Sequence, residues 1–582
     1  MSTNNSPRSY EPLERRVKMS DGAAIFYRAW LPDKPARVAL LLFHRGHEHS
    51  GRWQETVEDL QLDDAAVFAW DARGHGQSDG ERGSAVNLAR VIQDIDEFVY
   101  HVSREHGFAR EDMIVLGHSV GGVSVAAWVH DYGPPIRALI LATPAFRVKL
   151  YVPLAVPLLR LKKKLLRPGY VKSYVKATML THDREQARLY KQDRHIFPQI
   201  AVNILLDLYD TSTRLIEDAG AITVPTLMLA AGDDWIVEQS AQRTFFDRLS
   251  SPLKRFEALP GMYHAVFHER DRHLVVQKVR EFVCEWRDRG RQSTSLVDAD
   301  RYGYTRGEYD RLLSPGSSWY KLVRLSMRTA GKLSHGVRLG WEAGFDSGRT
   351  LDYVYQNEPA GTTPLGRWFD KLYLNSIGWA GIRQRGAILQ RMLDSAITET
   401  HQAGRPVRLL DIASGPGRYV LETMKRLPDI PCSALLRDYK EENVLASRRL
   451  ANRLGLKSVE TALGDAFDRA SLAAVTPKPT IALVSGLYEL FPMNDPVRRS
   501  LAGLADTVEP GGLLLYTNQP WHPQVEFIAR VLTNREGQPW VMRRRTQAEM
   551  DELVREAGFE KVRQETDPWG IFTVSMARRR CG

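Results

Sequence analysis

Two separate series of short apolar runs, each alternating with longer helical patterns, constrain the fold of this chain more than any other feature. The first series lies within residues 37–259 and the second within residues 408–576. Strands that alternate with helices in this way form a parallel sheet covered by helices. A chain of 582 residues also exceeds the usual size of a single hydrophobic core. The sequence therefore predicts an α/β protein with two domains.

The strand boundaries follow from the apolar runs and from the turn residues between them. In the first series, strands are predicted at 37–43, 65–70, 112–116, 137–141, 225–231 and 254–259. In the second series, they are predicted at 408–412, 433–436, 459–463, 481–484 and 512–517. Pro568-Trp569-Gly570 separates two further runs at 561–565 and 571–576, which is typical of a closing antiparallel hairpin.

A small and polar stretch at residues 290–300 separates the two series, and we interpret it as the domain boundary. The predicted organisation is a first domain at 1–290, a linker at 291–300, a helical region at 301–405 and a second domain at 406–582. The helical region is rich in aromatic residues and glycine and lacks strand alternation.

A serine motif, GHSVG at residues 117–121, follows the third predicted strand and precedes a helical run. In this setting G-x-S-x-G forms a nucleophile elbow, in which the glycines leave room beside an exposed serine. An acid after a late strand and a histidine on a later loop complete such a triad. Ser119, Asp234 and His264 meet this order, so we predict them as nucleophile, acid and base.

Two neighbouring segments, FHRGHEHSGRW at 43–53 and DARGHGQS at 71–78, resemble the monoacylglycerol lipase and lysophospholipase family. The resemblance covers roughly residues 15–289 and includes the stretch LTHD at 180–183. It implies an α/β-hydrolase fold with a helical cap at about 145–215, and serine esterase activity on lipid or small-molecule esters. The D-x-I-V register of these enzymes also selects Asp234 rather than Asp233.

The same resemblance implies an oxyanion hole formed by the backbone N–H groups of Gly46 and Val120. The family motif H-G-x-G-E-H reads HRGHEH at 44–49, so Arg45 and His47 replace two glycines. This departure leaves the substrate range open. The three histidines of the motif form an alternative metal cluster, but their spacing on a loop beside the oxyanion site makes that interpretation the less favoured one, and no metal is expected.

A glycine-bearing loop, DIASGPG at 411–417, joins the first strand of the second series to a helix. Such a loop lets the backbone approach a ligand at the switch point of a doubly wound sheet. A nicotinamide-binding loop would read G-x-G-x-x-G, but Val420 occupies the third glycine position. The loop, with Asp411, Gly415 and Gly417, instead resembles motif I of class I methyltransferases, which use S-adenosyl-L-methionine.

This resemblance implies a Rossmann-like class I methyltransferase fold over about residues 302–577, with a helical N-terminal extension on the substrate side. It also implies that Asp438, at the end of the second strand, contacts the ribose hydroxyls. Asp465 and Ala466, after the third strand, would contact the adenine. The segments at 344–348, 351–355 and 378–383 resemble a poorly characterised bacterial methyltransferase group found fused to α/β-hydrolases.

The residues that follow the fourth and fifth strands of the second series face the methyl group in this fold. We therefore predict a set of acceptor-side residues, namely Tyr488, Glu489, Asn518, Trp521 and His522. The tetrad typical of amino methyltransferases that act on nucleic acids is absent at 485–488, which argues against a base as the acceptor.

Basic residues are concentrated in the predicted cap, although the whole chain is basic, with a formal net charge of +10 and a pI near 9.3. Residues 147–176 contain no acid but many basic residues, namely Arg147, Lys149, Arg160, Lys162, Lys163, Lys164, Arg167, Lys172 and Lys176. The leucines between them allow two interpretations. The segment either contacts an anionic membrane surface or packs its leucines over the pocket as an ordinary cap.

The favoured function is a bifunctional enzyme, a serine esterase or lysophospholipase joined to a methyltransferase of lipid or small-molecule metabolism. One alternative is a nucleic-acid methyltransferase with an accessory hydrolase, suggested by the basic pI, although no nucleic-acid partner is expected. Another is a scaffold in which one site has decayed. Without a signal-peptide pattern or an apolar run of roughly 20 residues, we expect a cytoplasmic protein, with a peripheral contact at the inner membrane face as an open alternative. The motifs specify neither the acyl chain, the methyl acceptor nor the oligomeric state.

Overall fold

The computed structural model describes residues 11–151, 154–165, 169–289 and 295–581. The chain forms two compact units, residues 1–294 and residues 295–582, and this division falls inside the predicted linker. None of the helices in the described ranges combines the length with the apolar composition that a membrane span requires.

The first unit contains ten strands within the described residues. These are β1 (Leu13–Lys18), β2 (Ala24–Trp30), β3 (Val38–Phe43), β4 (Ala65–Trp70), β5 (Met113–His118), β6 (Ala138–Ala142), β7 (Tyr170–Lys172), β8 (Gln199–Ala201), β9 (Thr226–Ala231) and β10 (Lys254–Leu259). Eight of them form one sheet in the order β1-β2-β4-β3-β5-β6-β9-β10, and β7 and β8 pair separately. The strands from β4 to β10 along this sheet are parallel, whereas β1 and β2 are antiparallel.

Helices of the first unit connect these strands, and α8 follows the last of them. They are α1 (Gln54–Leu60), α2 (Leu88–His106), α3 (Val120–Tyr132), α4 (Ala155–Leu165), α5 (Arg184–Gln192), α6 (Val202–Glu217), α7 (Gln239–Arg248) and α8 (Arg272–Arg289). Both faces of the sheet are buried, because alternate residues of β3 enter two different hydrophobic clusters: Leu41 lies in one and Leu40 in the other. This is the burial expected of a parallel sheet that helices cover on both sides.

The predicted strands of the first series all form, whereas β1 and β2 were not predicted. β1 reads LERRVK and is largely exposed at the edge of the sheet, so it carries no apolar run. An edge strand of this kind is protected by its charges and leaves little hydrophobic signal. β7 and β8, which lie in the predicted cap region, are only three residues long each and were also missed.

The second unit begins with helices that occupy the region predicted to be helical. These are α9 (Ala299–Tyr302), α10 (Tyr304–Leu313), α11 (Ser318–Arg328), α12 (His335–Ala343), α13 (Gly348–Gln356), α14 (Pro364–Leu374) and α15 (Ile377–Gln402). A single-turn helix at Ala330–Leu333 connects α11 to α12. α15 packs against the following sheet and buries one apolar side from Ile388 to Ile397.

A second sheet follows these helices. Its strands are β11 (Val407–Asp411), β12 (Cys432–Asp438), β13 (Val459–Leu463), β14 (Ile481–Val484), β15 (Leu513–Asn518), β16 (Phe559–Thr566) and β17 (Thr573–Arg579). The intervening helices are α16 (Arg418–Arg426), α17 (Glu441–Leu454), α18 (Arg469–Ala473), α19 (Asn494–Thr507), α20 (Val525–Val531) and α21 (Gln547–Glu556). The strand order is β13-β12-β11-β14-β15-β17-β16, with β17 antiparallel to both of its neighbours.

This topology confirms the predicted α/β fold class and the closing hairpin. The strand order reverses between β11 and β14, which makes the carboxyl end of β11 a topological switch point. Ligands of open α/β sheets bind outside the carboxyl ends of the strands at such a point. The loop at 411–417 leaves β11 there, so the fold brings it to the expected ligand edge.

Candidate active sites

Ser119 lies in the tight turn between β5 and α3. Its backbone has φ 56° and ψ −113°, a conformation that is strained for any residue except glycine. The turn also requires its flanking glycines. A Cβ at Gly117 would lie 2.4 Å from Val125 Cγ2, and a Cβ at Gly121 would lie 2.4 Å from the carbonyl oxygen of His44. The local geometry is therefore that of a nucleophile elbow.

The three predicted triad residues meet at this turn. His264 Nε2 lies 2.7 Å from Ser119 Oγ, and His264 Nδ1 lies 2.8 Å from Asp234 Oδ2. All three side chains are buried, whereas Asp233 is exposed. The arrangement is a continuous hydrogen-bonded chain in which the serine hydroxyl donates to the imidazole and the imidazole donates to the carboxylate.

The backbone around Asp234 favours its ionised form. Burial acts to raise the pKa of this carboxyl, but the nearby His264 and two backbone N–H donors more than offset it, and the pKa is lowered. Those donors are Ile236 at 2.7 Å and Val237 at 3.0 Å, both to Asp234 Oδ1. Asp234 is thereby held as a carboxylate that can orient the imidazole.

The two predicted oxyanion-hole residues are neighbours. A Cβ at Gly46 would lie 3.1 Å from Val120 Cγ2, so the two backbones approach closely. Val120 is the first residue of α3, and its N–H therefore has no acceptor within the helix. His44 fixes the loop that carries Gly46: its Nδ1 bonds the Arg45 carbonyl at 2.7 Å, and its Nε2 accepts the Ala72 N–H at 2.9 Å.

Arg45 and His47, which replace two glycines of the family motif, take different positions. Arg45 is buried, pairs with Glu48 at 2.8 Å and lies with its guanidinium 4.9 Å from the ring centre of Tyr190 on α5. His47 adopts a left-handed φ of 70°, and burial lowers its pKa to about 4. Arg45 therefore links the oxyanion loop to Tyr190 of the cap region.

A small cavity of about 90 Å³ lies beside the oxyanion residues. Gly46, His47 and Val120 form one part of its wall, and apolar side chains such as Leu88 and Ile95 form another. Two of the motif histidines have other partners than a metal ion. His49 Nε2 pairs with Asp193 at 2.8 Å, and both ring nitrogens of His44 bond backbone groups. Within the described ranges, no group of three or more potential ligands is placed to hold a metal ion.

The glycine loop of the second unit forms an open cradle at the switch point. Gly415 and Gly417 have φ of 52° and 69°. A Cβ at Gly417 would lie 2.6 Å from Leu436 Cδ1, whereas a Cβ at Gly415 would meet nothing within 4 Å. One glycine thus permits close packing against β12, and the other leaves a free face at the ligand edge.

Asp411 ends β11 directly below this loop and is fully buried. The Tyr419 hydroxyl donates to its Oδ2 at 2.6 Å, and the Ala413 N–H donates to its Oδ1 at 3.2 Å. Burial outweighs these donors and raises the pKa of Asp411 to about 7.

The other two predicted cofactor acids follow the neighbouring parallel strands β12 and β13. Asp438 accepts hydrogen bonds from the N–H groups of Gly415 and Lys440, both at 2.9 Å, and from the Asn443 side chain at 3.0 Å. Asp465 is exposed and accepts the N–H of Phe467 at 2.9 Å, while Ala466 beside it is buried. Both acids therefore lie at the edge of the sheet that carries the cradle.

A cavity of about 530 Å³ lies within the second unit. Its wall is mostly apolar and includes Met327, Leu351, Phe369, Trp379, Ile382 and Phe572. Two of the predicted acceptor-side residues, Glu489 and His522, also line it. The helical region at 301–405 contributes much of the wall, as expected for a substrate-side extension.

Glu489 forms a buried ion pair in this cavity with Arg385 of α15, at 2.9 Å. Glu489 Oε2 and Arg385 Nε are buried and have no hydrogen-bond partner among the described residues. Burial raises the pKa of Glu489, although Arg385 acts against it. Arg385 was not among the predicted site residues, because a helical arginine more than a hundred positions before Glu489 gives no local signal.

His522 is a neutral donor in the cavity wall. Burial lowers its pKa to about 3. Its Nδ1 accepts the Gln524 N–H at 3.0 Å, so the ring proton resides on Nε2. A Cβ at Gly378 would lie 2.9 Å from that Nε2, so only glycine leaves it room.

The remaining acceptor-side residues are not brought to the cavity wall. The Tyr488 hydroxyl donates to Ser500 Oγ at 2.9 Å within a hydrophobic cluster. The Asn518 amide donates to the Arg545 carbonyl at 3.1 Å. Trp521 packs at the edge of the helical cluster. Their strand-end positions are as expected, but their side chains point elsewhere.

These two sites define a protein that joins an α/β-hydrolase to a methyltransferase. A family profile described as "Putative methyltransferase" matches residues 279–579, and one described as "Serine aminopeptidase, S33" matches residues 34–271. The chain is 49% identical over 578 residues to a protein of Escherichia coli K12 named "Uncharacterized protein YnbC". The match covers 98% of this chain and 99% of that protein. The chain therefore belongs to the putative methyltransferase family, with a hydrolase unit in its first half.

Relatives of the first half alone carry lipase names. The monoacylglycerol lipase of Mycolicibacterium smegmatis is 29% identical over 264 residues, covering 45% of this chain and 93% of that protein. The phospholipase YtpA of Bacillus subtilis is 24% identical over 260 residues, covering 44% of this chain and 98% of that protein. These matches support the predicted hydrolase, and the match at 279–579 supports the predicted methyltransferase.

Proposed function

We propose that the first unit hydrolyses carboxylic esters of lipids, of the monoacylglycerol or lysophospholipid kind, with Ser119 as the nucleophile. The observation that carries this proposal is the continuous chain from Ser119 Oγ through His264 to Asp234. The names of the relatives support the substrate class. The cavity of about 90 Å³ beside the oxyanion loop offers an apolar wall for part of an acyl chain.

The reaction follows from this geometry. Ser119 Oγ attacks the ester carbonyl carbon as its proton passes to His264 Nε2. The N–H groups of Gly46 and Val120 stabilise the negative charge that develops on the carbonyl oxygen. The imidazolium then gives its proton to the departing alcohol, which leaves an acyl-serine. A water molecule, deprotonated by His264, attacks that ester and releases the fatty acid and the free serine.

For the second unit we propose transfer of a methyl group from S-adenosyl-L-methionine to a small-molecule or lipid acceptor. The donor set fits this cofactor: the Gly415 face is open, Asp438 can accept from ribose hydroxyls, and Asp465 with Ala466 lies one strand further along the same edge. When bound, the cofactor supplies an electrophilic methyl group on a sulfonium. Asp411 supports the loop from below through Tyr419.

On the acceptor side we propose that Glu489 and His522 contact the group that is methylated. Glu489 Oε2 is unpartnered among the described residues and can accept a proton from the acceptor. His522 Nε2–H can donate a hydrogen bond that fixes its orientation. Arg385 positions Glu489.

Two measurements on the purified full-length chain test these assignments. A fluorophosphonate probe should label Ser119, and the protein should release fatty acid from a monoacylglycerol. Calorimetry should detect S-adenosyl-L-methionine but not NAD, since the loop lacks the third glycine of a nicotinamide site. An unlabelled Ser119 would refute the hydrolase proposal, and binding of NAD in place of the methyl donor would refute the second.

A second proposal concerns the cap, where α4 carries a row of exposed leucines. Leu158, Leu161 and Leu165 are between 52% and 68% exposed, and Leu154, directly before the helix, is 72% exposed. Lys162, Lys163 and Lys164 lie on the same helix. Val156 and Leu159 instead face α6. Residues 152–153 and 166–168 of the basic segment lie outside the described residues. We propose that this helix contacts an anionic membrane surface and brings lipid esters to Ser119.

Replacing Lys162, Lys163 and Lys164 by glutamate tests the cap proposal. Each basic residue near an anionic leaflet contributes about 1 kcal/mol, so the variant should lose much of the salt-sensitive binding to phosphatidylglycerol vesicles. Hydrolysis of a water-soluble short-chain ester should stay unchanged. Equal vesicle binding by parent and variant would exclude this role.

A further inference from the structure

The wall of the methyltransferase cavity includes a helix whose outer face is apolar. α11 reads SWYKLVRLSMR, and its Trp319, Leu322 and Leu325 are 65%, 57% and 59% exposed. Their spacing of three residues puts them on one side of the helix. The same helix contributes Ser326 and Met327 to the cavity wall. Large apolar side chains in this number are unusual on a helix that packs only against its own protein.

α14, which also lines the cavity, repeats this pattern. Its Leu365, Trp368, Phe369 and Leu372 follow i, i+3, i+4 and i+7 spacing, and all are exposed. The single-turn helix at Ala330–Leu333 contacts both α11 and α14 and exposes Leu333 between them. We call these exposed faces together the α11–α14 surface.

The charges on the α11–α14 surface have one sign. Lys321 and Arg328 on α11 and Lys332 on the connecting turn are exposed, as are two basic residues of α14, Arg367 and Lys371. The sequences of these three elements contain one acid, Asp370, and it is buried. Its carboxylate accepts hydrogen bonds from Ser334 and from the N–H of Gly336. The surface therefore presents tryptophan and leucine surrounded by cations.

The cavity reaches this surface. Phe369 is both exposed on α14 and part of the cavity wall, and Tyr373, one turn further along α14, lines the cavity inside. Glu489 and His522 line the same cavity. One mostly apolar cavity is thus bordered both by the exposed helices and by the groups proposed to contact the methyl acceptor.

We propose that the α11–α14 surface lies on an anionic phospholipid membrane and that the methyl acceptor is a membrane lipid, which enters the cavity between α11 and α14. Interleaved apolar and cationic residues with tryptophan are typical of helices that lie in the headgroup region. A mostly apolar cavity of about 530 Å³ suits the acyl part of a lipid. The identity of the acceptor rests on the proposed methyl transfer, whereas the membrane contact does not.

Charge distinguishes a membrane from the other plausible occupant, a second copy of this chain. A symmetric contact between two α11–α14 surfaces would bring cations of both copies together without an exposed acid in these elements to pair with them. An anionic lipid surface complements the same cations.

The full-length chain and a variant with Leu322→Ser, Leu325→Ser, Trp368→Ser and Leu372→Ser test the membrane contact. None of these residues lines the cavity. A matched control carries Leu13→Ser, Leu31→Ser, Leu253→Ser and Leu274→Ser, which are 38–44% exposed in the first unit. Co-sedimentation with phosphatidylglycerol vesicles should weaken at least tenfold in the first variant and by less than twofold in the control. Both experiments are repeated in the background of the Lys162, Lys163 and Lys164 variant, so that the contribution of the cap is removed.

A second readout follows the lipid itself. After incubation with S-adenosyl-L-methionine labelled in its methyl group and vesicles made from bacterial lipid extract, label should enter the organic phase with the parent and the control. The α11–α14 variant should lose at least nine-tenths of this labelling while it binds the cofactor within twofold of the parent. Cofactor binding also shows that the second unit of the variant is folded.

The outcomes separate the inference from the function on which it rests. Undiminished vesicle binding by the α11–α14 variant overturns the inference. A parent that is dimeric in solution, together with a variant that is monomeric, also overturns it. Equal binding of phosphatidylcholine and phosphatidylglycerol vesicles at low salt also overturns it, because the cations would then play no part. If the parent fails to bind S-adenosyl-L-methionine but the variant still loses vesicle binding, the proposed methyl transfer fails and the membrane surface stands.

Discussion

The two active sites differ in how their buried polar groups are satisfied. In the hydrolase unit, Ser119, His264 and Asp234 form hydrogen bonds with one another. A backbone N–H also donates a hydrogen bond to the second oxygen of the Asp234 carboxylate. In the methyltransferase unit, Glu489 Oε2 and Arg385 Nε have no partner among the described residues. A buried polar atom without a partner costs free energy, so we expect a ligand to supply the missing hydrogen bonds at Glu489 and Arg385.

Two buried acids show the same contrast. His264 and two backbone donors hold the pKa of Asp234 below its usual value, whereas burial raises that of Asp411 to about 7. Asp234 is stabilised as an ion by neighbours that are always present. Asp411 has one hydroxyl and one long N–H contact. The Ser119–His264–Asp234 triad is thus completed by groups of the chain itself, whereas Asp411 and Glu489 are stabilised less fully by their neighbours.

The largest expected effect comes from Ser119→Ala. Because the attacking atom is removed, kcat/KM for a soluble ester should fall by about four orders of magnitude or more. The affinity for S-adenosyl-L-methionine should not change, since every residue proposed to bind it lies in the second unit. Rates of ester hydrolysis and calorimetric affinities for S-adenosyl-L-methionine, measured on the same preparation, check both statements. Retained esterase activity would show that the triad assignment is wrong.

The next largest effect is expected for Glu489→Gln, which keeps the size of the side chain but removes its ability to take a proton. Methyl transfer to extracted lipids should fall about a hundredfold or more, as for loss of a general base, while cofactor affinity stays within twofold. In the parent the rate should rise with pH as the Glu489 carboxyl ionises, and this rise should be absent in the variant. Glu358→Gln, at an exposed position of the second unit, is the matched control. A variant with parental rate would remove Glu489 from the chemistry.

Local motifs made most of the hydrolase site predictable. The tight turn at Ser119 requires its flanking glycines, so the residues that identify the motif in the sequence are also the ones that allow the turn to form. The loop at 411–417 is similar, because its glycines adopt left-handed backbone conformations at a strand end. Each of these features is encoded within a few consecutive residues, and that is why the sequence specifies them.

Features that depend on packing between distant elements were not predictable. Arg385 reaches Glu489 because α15 packs beside the sheet, and no local pattern marks it. Tyr488 and Asn518 lie at the expected strand ends, but Ser500 and the Arg545 carbonyl draw their side chains away from the cavity. Position along a strand sets which edge a residue occupies, whereas the neighbours decide where its side chain points. β1 was missed for a related reason, since an exposed edge strand has little apolar pattern.

A smaller effect is expected for Asp438→Ala. Its carboxylate would lose the proposed ribose contacts and also its bond to the Gly415 N–H, which shapes the loop. Hydrogen bonds to a charged group contribute about 1.5–3 kcal/mol, so the affinity for S-adenosyl-L-methionine should fall roughly 10- to 100-fold. Asp429→Ala, an exposed acid of the same unit, should bind as the parent does. Calorimetry with both variants measures the difference, and equal affinities would exclude Asp438 from cofactor binding.

The smallest effect tests the contrast between the two buried acids through pH. The folded pKa of Asp411, about 7, lies above its unfolded value of 3.8. Well below pH 3.8 the carboxyl is protonated in both states, so the favourable contribution to stability is fully present. Between pH 4 and 7 the unfolded chain releases this proton and the folded chain keeps it, so stability is lost as the pH rises.

Asp411→Asn cannot titrate and should lack this loss. The quantity to compare is the melting temperature of the second unit in the variant minus that in the parent. This difference should be a few degrees larger at pH 8 than at pH 4, which corresponds to at most a few kcal/mol. Thermal unfolding at both pH values checks this, with the transition of the second unit identified by its upward shift on addition of S-adenosyl-L-methionine. The hydrolase transition serves as the internal control, because Asp234 lies in the other unit and is unaltered. If parent and variant show the same dependence on pH, Asp411 is ionised in the folded protein, and the two buried acids are alike in charge.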